Sequence, residues 1–425
     1  MTVKEKAAAM KLDSTLMAST SETQRNNALS NIIKALLDNQ KEIFRANALD
    51  LVEAEENHIP QAVIKRLKFS EQKLKDVIKG IDDLIQLPDM VYRVQFAREL
   101  DEGLTLVRES CPIGVIGVIF EARPDALVQI ASLCMKSGNC AILKGGSETK
   151  HTNKVLFSLI YQAAINSGLP ENCLFQAEQR EEISALLSCN ESVDLLIPRG
   201  SNAFVQYIMN NTKIPVMGHA DGICHIYVDK NFDIEKAIPI IIDAKIQYTA
   251  ACNAVETLLV HKEALEQLMP RLNEAFQQHQ IELRASSDIA AKYDSKPATE
   301  EDFATEYLDL IISAKTVENI EEAVRHINQY GSHHTDCIIT EDKEAAEYFM
   351  KMVDSAGVYQ NCSTRFSDGY RYGFGAEVGI STGKIHARGP VGIEGLLTYK
   401  YKLYGNGQIV GDYASGKKEF HFKDL

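Results

Sequence analysis

The chain lacks the features that would place it in several large classes. No stretch approaches the roughly 20 consecutive apolar residues that a membrane helix needs. The amino-terminal MTVKEKAAAMKLDSTLM holds no apolar core of signal-peptide length. Its nine cysteines are scattered, odd in number and form no CxxC pair, which argues against a disulfide framework or a structural zinc site. They read as reduced thiols in a reducing, cytoplasmic compartment, most of them small buried hydrophobes. Excess positive charge is also missing. The formal charge is −14, and an acidic surface repels phosphate backbones, so nucleic acid is a poor partner. No repeat of fixed period and no low-complexity segment is visible. The dinucleotide fingerprint G-x-G-x-x-G is absent, since Gly114 and Gly117 fall within a strand-like run.

What remains is a globular composition, 45% hydrophobic and 24% charged over 425 residues. That length exceeds one ordinary core and predicts two domains with a small third element. Residues 1–87 carry helical spacing, with Ile32, Ile33, Leu36, Leu37, Ile43 and Phe44 as one stripe on a long helix. Residues 91–107 read as two extended segments around Asp101-Glu102-Gly103, a hairpin that could form an arm. From Pro112 strands and helices alternate. GVIGVIF at 114–120 is a buried parallel strand by its continuous apolar run. Further strands are expected at Ala141–Leu143, Cys173–Gln176, Val193–Ile197, Ile214–Val216 and Cys224–Val228. A second α/β segment begins near Ile234, with strands at Val255–Val260, 307–313 and 336–340 and helices at 263–278, 317–328 and 342–353. Leu397–Tyr404 is again extended. The pattern is an α/β doubly wound arrangement.

Six segments could carry chemistry. Cys252 sits among Ala250, Ala251, Asn253 and Ala254 just before an apolar strand. Small neighbours leave room for a substrate at the sulfur, and the N–H groups of Cys252 and Asn253 could face an oxyanion. A buried cysteine in a packed turn fits the same residues, and position alone does not decide. Lys144-Gly145-Gly146-Ser147-Glu148 follows a strand and opens a helix, where backbone N–H groups can meet an anion. Such turns are also common plain connections. Arg123, within Glu121-Ala122-Arg123-Pro124-Asp125, could face an anionic group at a strand's carboxyl end, or pair with Glu121 or Asp125. Pro198-Arg199-Gly200-Ser201 has the same alternatives. His333-His334 in HINQYGSHHTD invites a metal reading, but neighbouring residues on an extended chain point to opposite faces and no ligand set completes it. A cleft-lining polar loop suits it better. Ser363-Thr364-Arg365 could clasp a carboxylate, or be a solvated connection.

Together these segments resemble the gamma-glutamyl phosphate reductase (glutamate-5-semialdehyde dehydrogenase) family of the aldehyde dehydrogenase superfamily. The residues that carry the resemblance are GVIGVIFEARP at 114–124, ILKGGSE at 142–148, IPRGS at 197–201, YTAACNAVETLLVH at 248–261, TEYLDLII at 305–312, HINQYGSHHTD at 326–336, STRFSDG at 363–369 and FGAEVGISTGKIHARGPVGIEGL at 374–396. The resemblance implies an aldehyde-dehydrogenase-like fold: a nucleotide-binding domain over 1–232 with an arm at about 91–110, a catalytic domain over 233–396, and an extended oligomerisation tail over 397–425. It implies NADPH-dependent reduction of L-glutamyl 5-phosphate to the semialdehyde through a Cys252 thioester, in proline biosynthesis. Cys252 and Asn253 would be catalytic. Lys144, Gly145, Ser147, Glu148, Gly200 and Ser201 would hold NADPH/NADP, and Arg123, His334, Ser363, Thr364 and Arg365 the substrate. A homo-oligomer, dimer or tetramer, follows as an expectation, with the upstream glutamate kinase as a candidate partner and no metal.

Three departures stand out. Aldehyde-oxidising relatives carry a general-base Glu ahead of the nucleophile, and IPVMGHADGICH at 214–225 has none. Arg123 lies about where those relatives place an oxyanion-binding Asn, and Asp125 where this family often has Asn. The competing readings are another aldehyde or acyl dehydrogenase, a non-catalytic binding or scaffold role, or a cysteine hydrolase or acyltransferase. The last needs a histidine beside Cys252, for which His219, His225, His261 and His334 are candidates.

Overall fold

The structure, a computed structural model, describes residues 2–425 apart from Arg180, His219, Ala220, Asp294 and Ala376, and the side chain of Ala62. The chain divides into two compact units. The first comprises Met1–Met217, Phe374–Gly379 and Val391–Leu425, and the second Gly218–Gly373 and Ile380–Pro390. No helix among the described residues is long and apolar enough to cross a membrane.

The first unit begins with helices Val3–Ala18, Glu22–Asp38, Gln40–Glu56, Gln61–Leu67 and Glu71–Gln86. Thr2 and Ser21 each open a helix with a capping box, in which side chain and backbone satisfy one another's exposed N–H groups. The single long helix expected for the Ile32–Phe44 stripe is two helices that break at Asn39. Ile32, Leu36 and Ile43 are buried, but Leu37 is exposed, because one residue past Leu36 it lies about 100° round the helix and off the face formed by Ala28, Leu29, Ile32 and Leu36.

A four-stranded parallel sheet forms this unit's centre, in the spatial order Leu174–Ala177, Cys140–Gly145, Val115–Phe120, Leu195–Arg199. All six residues of Val115–Phe120 are buried, which explains the unbroken apolar run: helices cover both faces. The order reverses between the Val115–Phe120 and Leu195–Arg199 strands. In open parallel sheets such a reversal opens a crevice at the carboxyl ends. Ile214–Val216, expected as a strand, contributes only a bridge from Val216 to Leu196. The hairpin is present as Val94–Asp101 and Leu104–Pro112, with Gly103 at φ +69° in the turn. Leu397–Tyr404 pairs antiparallel along Leu104–Pro112, and Lys423–Asp424 pairs with Val94–Asp101. The tail is therefore folded into the first unit.

The second unit holds a seven-stranded parallel sheet, ordered Lys296–Pro297, Glu282–Ala285, Ile311–Val317, Val255–His261, Cys224–Val228, Thr335–Ile339, Gly357–Gln360. Cys224–Val228 thus belongs here, between Val255–His261 and Thr335–Ile339. The expected boundary at 232 moves back to 217/218. A five-residue apolar run does not encode which sheet it joins. The strand expected at 307–313 begins only at Ile311, since Leu308 turns into the left-handed region at φ +56°.

Candidate active site

Each unit gathers one set of the residues singled out above. In the first unit they lie past the carboxyl ends of the strands. Lys144 is the last residue but one of the Cys140–Gly145 strand, its ammonium 2.5 Å from the Gly145 carbonyl. Burial lowers its pKa, with Glu182 and Glu148 acting the other way. Ser147 opens a short turn and is exposed, while Glu148 accepts the Ala122 N–H at 2.6 Å. Gly200 and Ser201 follow the Leu195–Arg199 strand at the sheet's point of reversal. There the Ser201 N–H, at the amino end of helix Asn202–Asn210, donates to Glu121 Oε2 at 3.1 Å. A Cβ on Gly200 would crowd the Glu121 carboxylate and the Phe204 ring, so a larger residue would have to shift that carboxylate. This helix start already binds an anionic group, as helix dipoles and first-turn amides favour. Arg123 is half exposed and lies 3.8 Å from Asp125, the ion pair that its local sequence allowed.

The second unit places its set at the amino ends of three central strands. Gly222 precedes Cys224–Val228, Cys252 precedes Val255–His261, and His334 precedes Thr335–Ile339. Cys252 sits in a turn closed by the Ala254 N–H donating to the Ala251 carbonyl at 2.9 Å. Gly222 packs directly on that turn, and a Cβ there would overlap the Cys252 backbone. Thr364 Oγ1 donates to the Asn253 carbonyl at 2.6 Å, and Asn253 Nδ2 donates to the Ser367 carbonyl at 2.7 Å. The Thr364 hydroxyl is thereby committed to the Cys252 turn. Ser363 Oγ accepts the Arg365 N–H at 3.3 Å, and Arg365 Nε donates to Gln247 Oε1 at 2.9 Å. Burial lowers the Arg365 pKa, with Arg371 adding to the shift and Cys252 opposing it.

Cys252 differs from most of the other thiols. It is half-buried, whereas Cys134 and Cys173 are fully enclosed, and burial pushes both of these up to about 12. His334 Nε2 stands 3.2 Å from Cys252 Sγ, and its Nδ1 lies 2.9 Å from Thr335 Oγ1. The two adjacent histidines do diverge: His333, at φ +58°, turns its Nδ1 to the Asp354 carbonyl at 2.6 Å. Of the other candidate partners, His225 is buried against Asp336 at 3.1 Å and His261 Nδ1 accepts the Glu263 N–H at 3.1 Å. His219 lies outside the described residues. Gly222 and Gln247 were not singled out from the sequence, and Thr335 and Ser367 only as parts of HINQYGSHHTD and STRFSDG. Only Gly222, a glycine just ahead of an apolar strand, left a local signal.

The model of the aldehyde dehydrogenase family matches residues 2–300. The gamma-glutamyl phosphate reductase of Pelotomaculum thermopropionicum is 53% identical over 425 residues, covering 100% of this chain and 98% of the relative. That of Acetivibrio thermocellus is 54% identical over 99% of this chain and 97% of its own. The chain belongs to the gamma-glutamyl phosphate reductases of the aldehyde dehydrogenase family. The crystal structure of the family's Thermotoga maritima member superposes with a TM-score of 0.92 at 37% identity, covering 95% of this chain and 99% of that one. The family's fold, parallel α/β sheets with added antiparallel strands, is the one described above.

Proposed function

We propose that this chain reduces L-glutamyl 5-phosphate to L-glutamate 5-semialdehyde with release of phosphate, the second step of proline biosynthesis from glutamate. The observation that carries the reading is the match over essentially the whole chain to gamma-glutamyl phosphate reductases. The Cys252 turn supplies the chemistry that such a reaction needs.

The Cys252 sulfur attacks the acyl carbon. The C–S bond forms, the C–O bond to phosphate breaks, and phosphate leaves with the electron pair. Covalent capture splits one difficult step into two easier ones. Asn253, whose side chain is turned to Ser367, keeps its backbone N–H for the oxyanion that develops at the attacked carbon. Thr364 and Gly222 fix the turn in that pose. Ser363 and Arg365 hold the substrate's α-carboxylate, with Gln247 orienting the guanidinium. The stretch 214–225 brings no Glu, so the base that hydrolyses the acyl-enzyme in aldehyde-oxidising relatives is missing from it.

The family works with a nicotinamide cofactor, which supplies hydride to the acyl carbon when bound. The donors in the first unit suit such a group. The helix start at Ser201 binds a carboxylate in the structure and would take a pyrophosphate. Lys144 would meet the adenosine ribose, and its ammonium favours the 2′-phosphate of NADPH over NADH. Nine free thiols support a cytoplasmic setting. The exposed Tyr399, Tyr401 and Leu403 on the antiparallel sheet support a homo-oligomer.

A Cys–His pair also occurs in cysteine hydrolases and acyltransferases, and one assay separates the classes. Semialdehyde, NADP and phosphate should give phosphate-dependent NADPH formation at 340 nm, and Cys252→Ala should abolish it, by about 10⁴-fold or more, with the circular dichroism spectrum unchanged. Turnover independent of phosphate, or full activity in Cys252→Ala, would overturn the reading.

A further inference from the structure

The attacking form of a cysteine is its thiolate, and an ordinary thiol with a pKa of about 8.5 is only a few per cent ionised at neutral pH. Something must take the Cys252 proton. His334 Nε2 lies 3.2 Å from the sulfur, within hydrogen-bond reach. The ring is held on every side. It is buried, its Nδ1 lies 2.9 Å from Thr335 Oγ1, and its backbone carbonyl accepts the Gly357 N–H at 2.9 Å. The preceding residue occupies the left-handed region at φ +58°, a conformation costly for histidine that surrounding contacts must enforce. Gly357 keeps room for the Thr335 hydroxyl, since a Cβ there would press to 3.1 Å from Oγ1. With Nδ1–H donating to Thr335, the lone pair on Nε2 faces the sulfur.

We propose that His334 takes the Cys252 proton, keeps it while the acyl group is on sulfur, and returns it when the aldehyde leaves. This deepens the reductase reading and rests on it. The S–H bond breaks as Nε2–H forms. The sulfur electron pair makes the C–S bond, and the C–O electrons leave with phosphate, which takes one proton from solvent. After hydride reaches the acyl carbon, the oxyanion re-forms C=O, the C–S electrons return to sulfur, and sulfur recovers the proton from Nε2. The net uptake is one solvent proton per turnover, carried off on phosphate. Throughout the thioester stage His334 is an imidazolium and has no lone pair for water. The residue that arms the sulfur is thereby disarmed as a hydrolytic base, which separates this Cys–His pair from a hydrolase's.

Two further titratable groups beside Cys252 are Arg365, whose charge favours a thiolate, and Cys224. The latter donates to the Cys252 carbonyl at 3.3 Å, and burial raises its pKa well above the usual thiol range, so it stays protonated. The buried His225–Asp336 pair lies on the flanking strands.

The test uses the full chain without substrate or nucleotide. Iodoacetamide modification of Cys252 is followed by mass spectrometry between pH 5 and 9.5. The wild type should stay reactive well below the pH at which an ordinary thiol titrates, about 8.5. His334→Gln should move the profile up towards that value and cut the rate at pH 6.5 at least tenfold. A wild-type profile like that of an ordinary thiol overturns the proposal without any variant, and so do superimposable profiles for the two proteins. For the second half, acyl-enzyme formed without nucleotide should lose its acyl group to water faster as pH rises, through loss of the imidazolium, and this rise should vanish in His334→Gln. A pH-independent lifetime overturns that half. Alkylation reports the pair alone and the phosphate-dependent assay reports the reaction, so either can fail by itself.

Discussion

The two units use opposite edges of the same kind of sheet. In the first, the functional candidates follow the strands, at the carboxyl edge, where helices begin. In the second the Cys252 turn and His334 precede their strands, at the amino edge, where helices end, and the Ser363–Arg365 loop, which follows the Gly357–Gln360 strand, reaches that turn through Thr364. The electrostatics of the edges differ accordingly. Helix starts present N–H groups and partial positive charge, which suits an anion such as a pyrophosphate. Helix ends present carbonyls and partial negative charge, which disfavours a thiolate. The helix Ile234–Ile246 ends at Gln247, five residues before Cys252. The nucleophile proposed at this place needs local cations or proton acceptors, and His334 and Arg365 are the groups placed to supply them, the latter bonded to Gln247 itself. The carboxyl-edge rule for parallel sheets is a rule about binding anions. It does not govern where covalent chemistry sits.

The contrast breaks most sharply at Gly222. Gly222→Ala should push the Cys252 turn out of place and lower kcat by about 100-fold, the cost of a misplacement near 1 Å. Nucleotide affinity, measured by fluorescence titration of NADPH, should not change. A matching loss of affinity would mean that the two sets are not separable. A milder effect is expected in the first unit. Lys144→Met should raise KM for NADPH about tenfold, the order expected when a charge-assisted hydrogen bond is lost, and leave kcat and the KM for NADH nearly unchanged. Equal losses with both nucleotides would remove Lys144 from the 2′-phosphate.

The smallest effect concerns stability of the second unit alone. His326 is buried beside His225, Phe303 and Tyr330, and burial, aided by His225 and Lys315, lowers its pKa to about 3. An unfolded histidine titrates near 6.5. Between those values the unfolded state binds the extra proton, so stability is full above about pH 6.5 and falls as the medium is acidified towards 3. The drop in Tm between pH 7.5 and 5 should be about 2–4 °C smaller in His326→Phe than in wild type. Scanning calorimetry reads this directly, and parallel curves would refute it.

Legibility followed sequence separation. Local patterns were readable. The run 114–120 announced its burial, Asp101-Glu102-Gly103 announced the hairpin, and the small residues around Cys252 marked an accessible turn. What failed depended on distant partners. The Cys224–Val228 strand was placed in the wrong sheet because strand order is decided by neighbours far along the chain. His334 stands in the sequence among the substrate-binding residues and as one of four histidines that could meet Cys252, and nothing local selects it from the four for a sulfur 82 positions away. Thr364 was read as facing substrate, whereas its hydroxyl reaches the Asn253 carbonyl across 111 positions. Arg123 shows the reverse: the bland local reading, an ion pair with Asp125, is the contact present.

The antiparallel sheet of the first unit also sets an order of assembly during synthesis. Its strands Val94–Asp101 and Leu104–Pro112 wait for Leu397–Tyr404, with the Lys402–Glu109 and Arg98–Asp424 ion pairs closing it. The segment Gly218–Gly373, most of the second unit, emerges from the ribosome complete before those partners are made. The nucleophile's half can thus reach its native packing first, while the older segment holds an unpaired strand edge of the kind that recruits stray chains. For this protein the stretch of translation between residues about 112 and 397 is when a chaperone matters most.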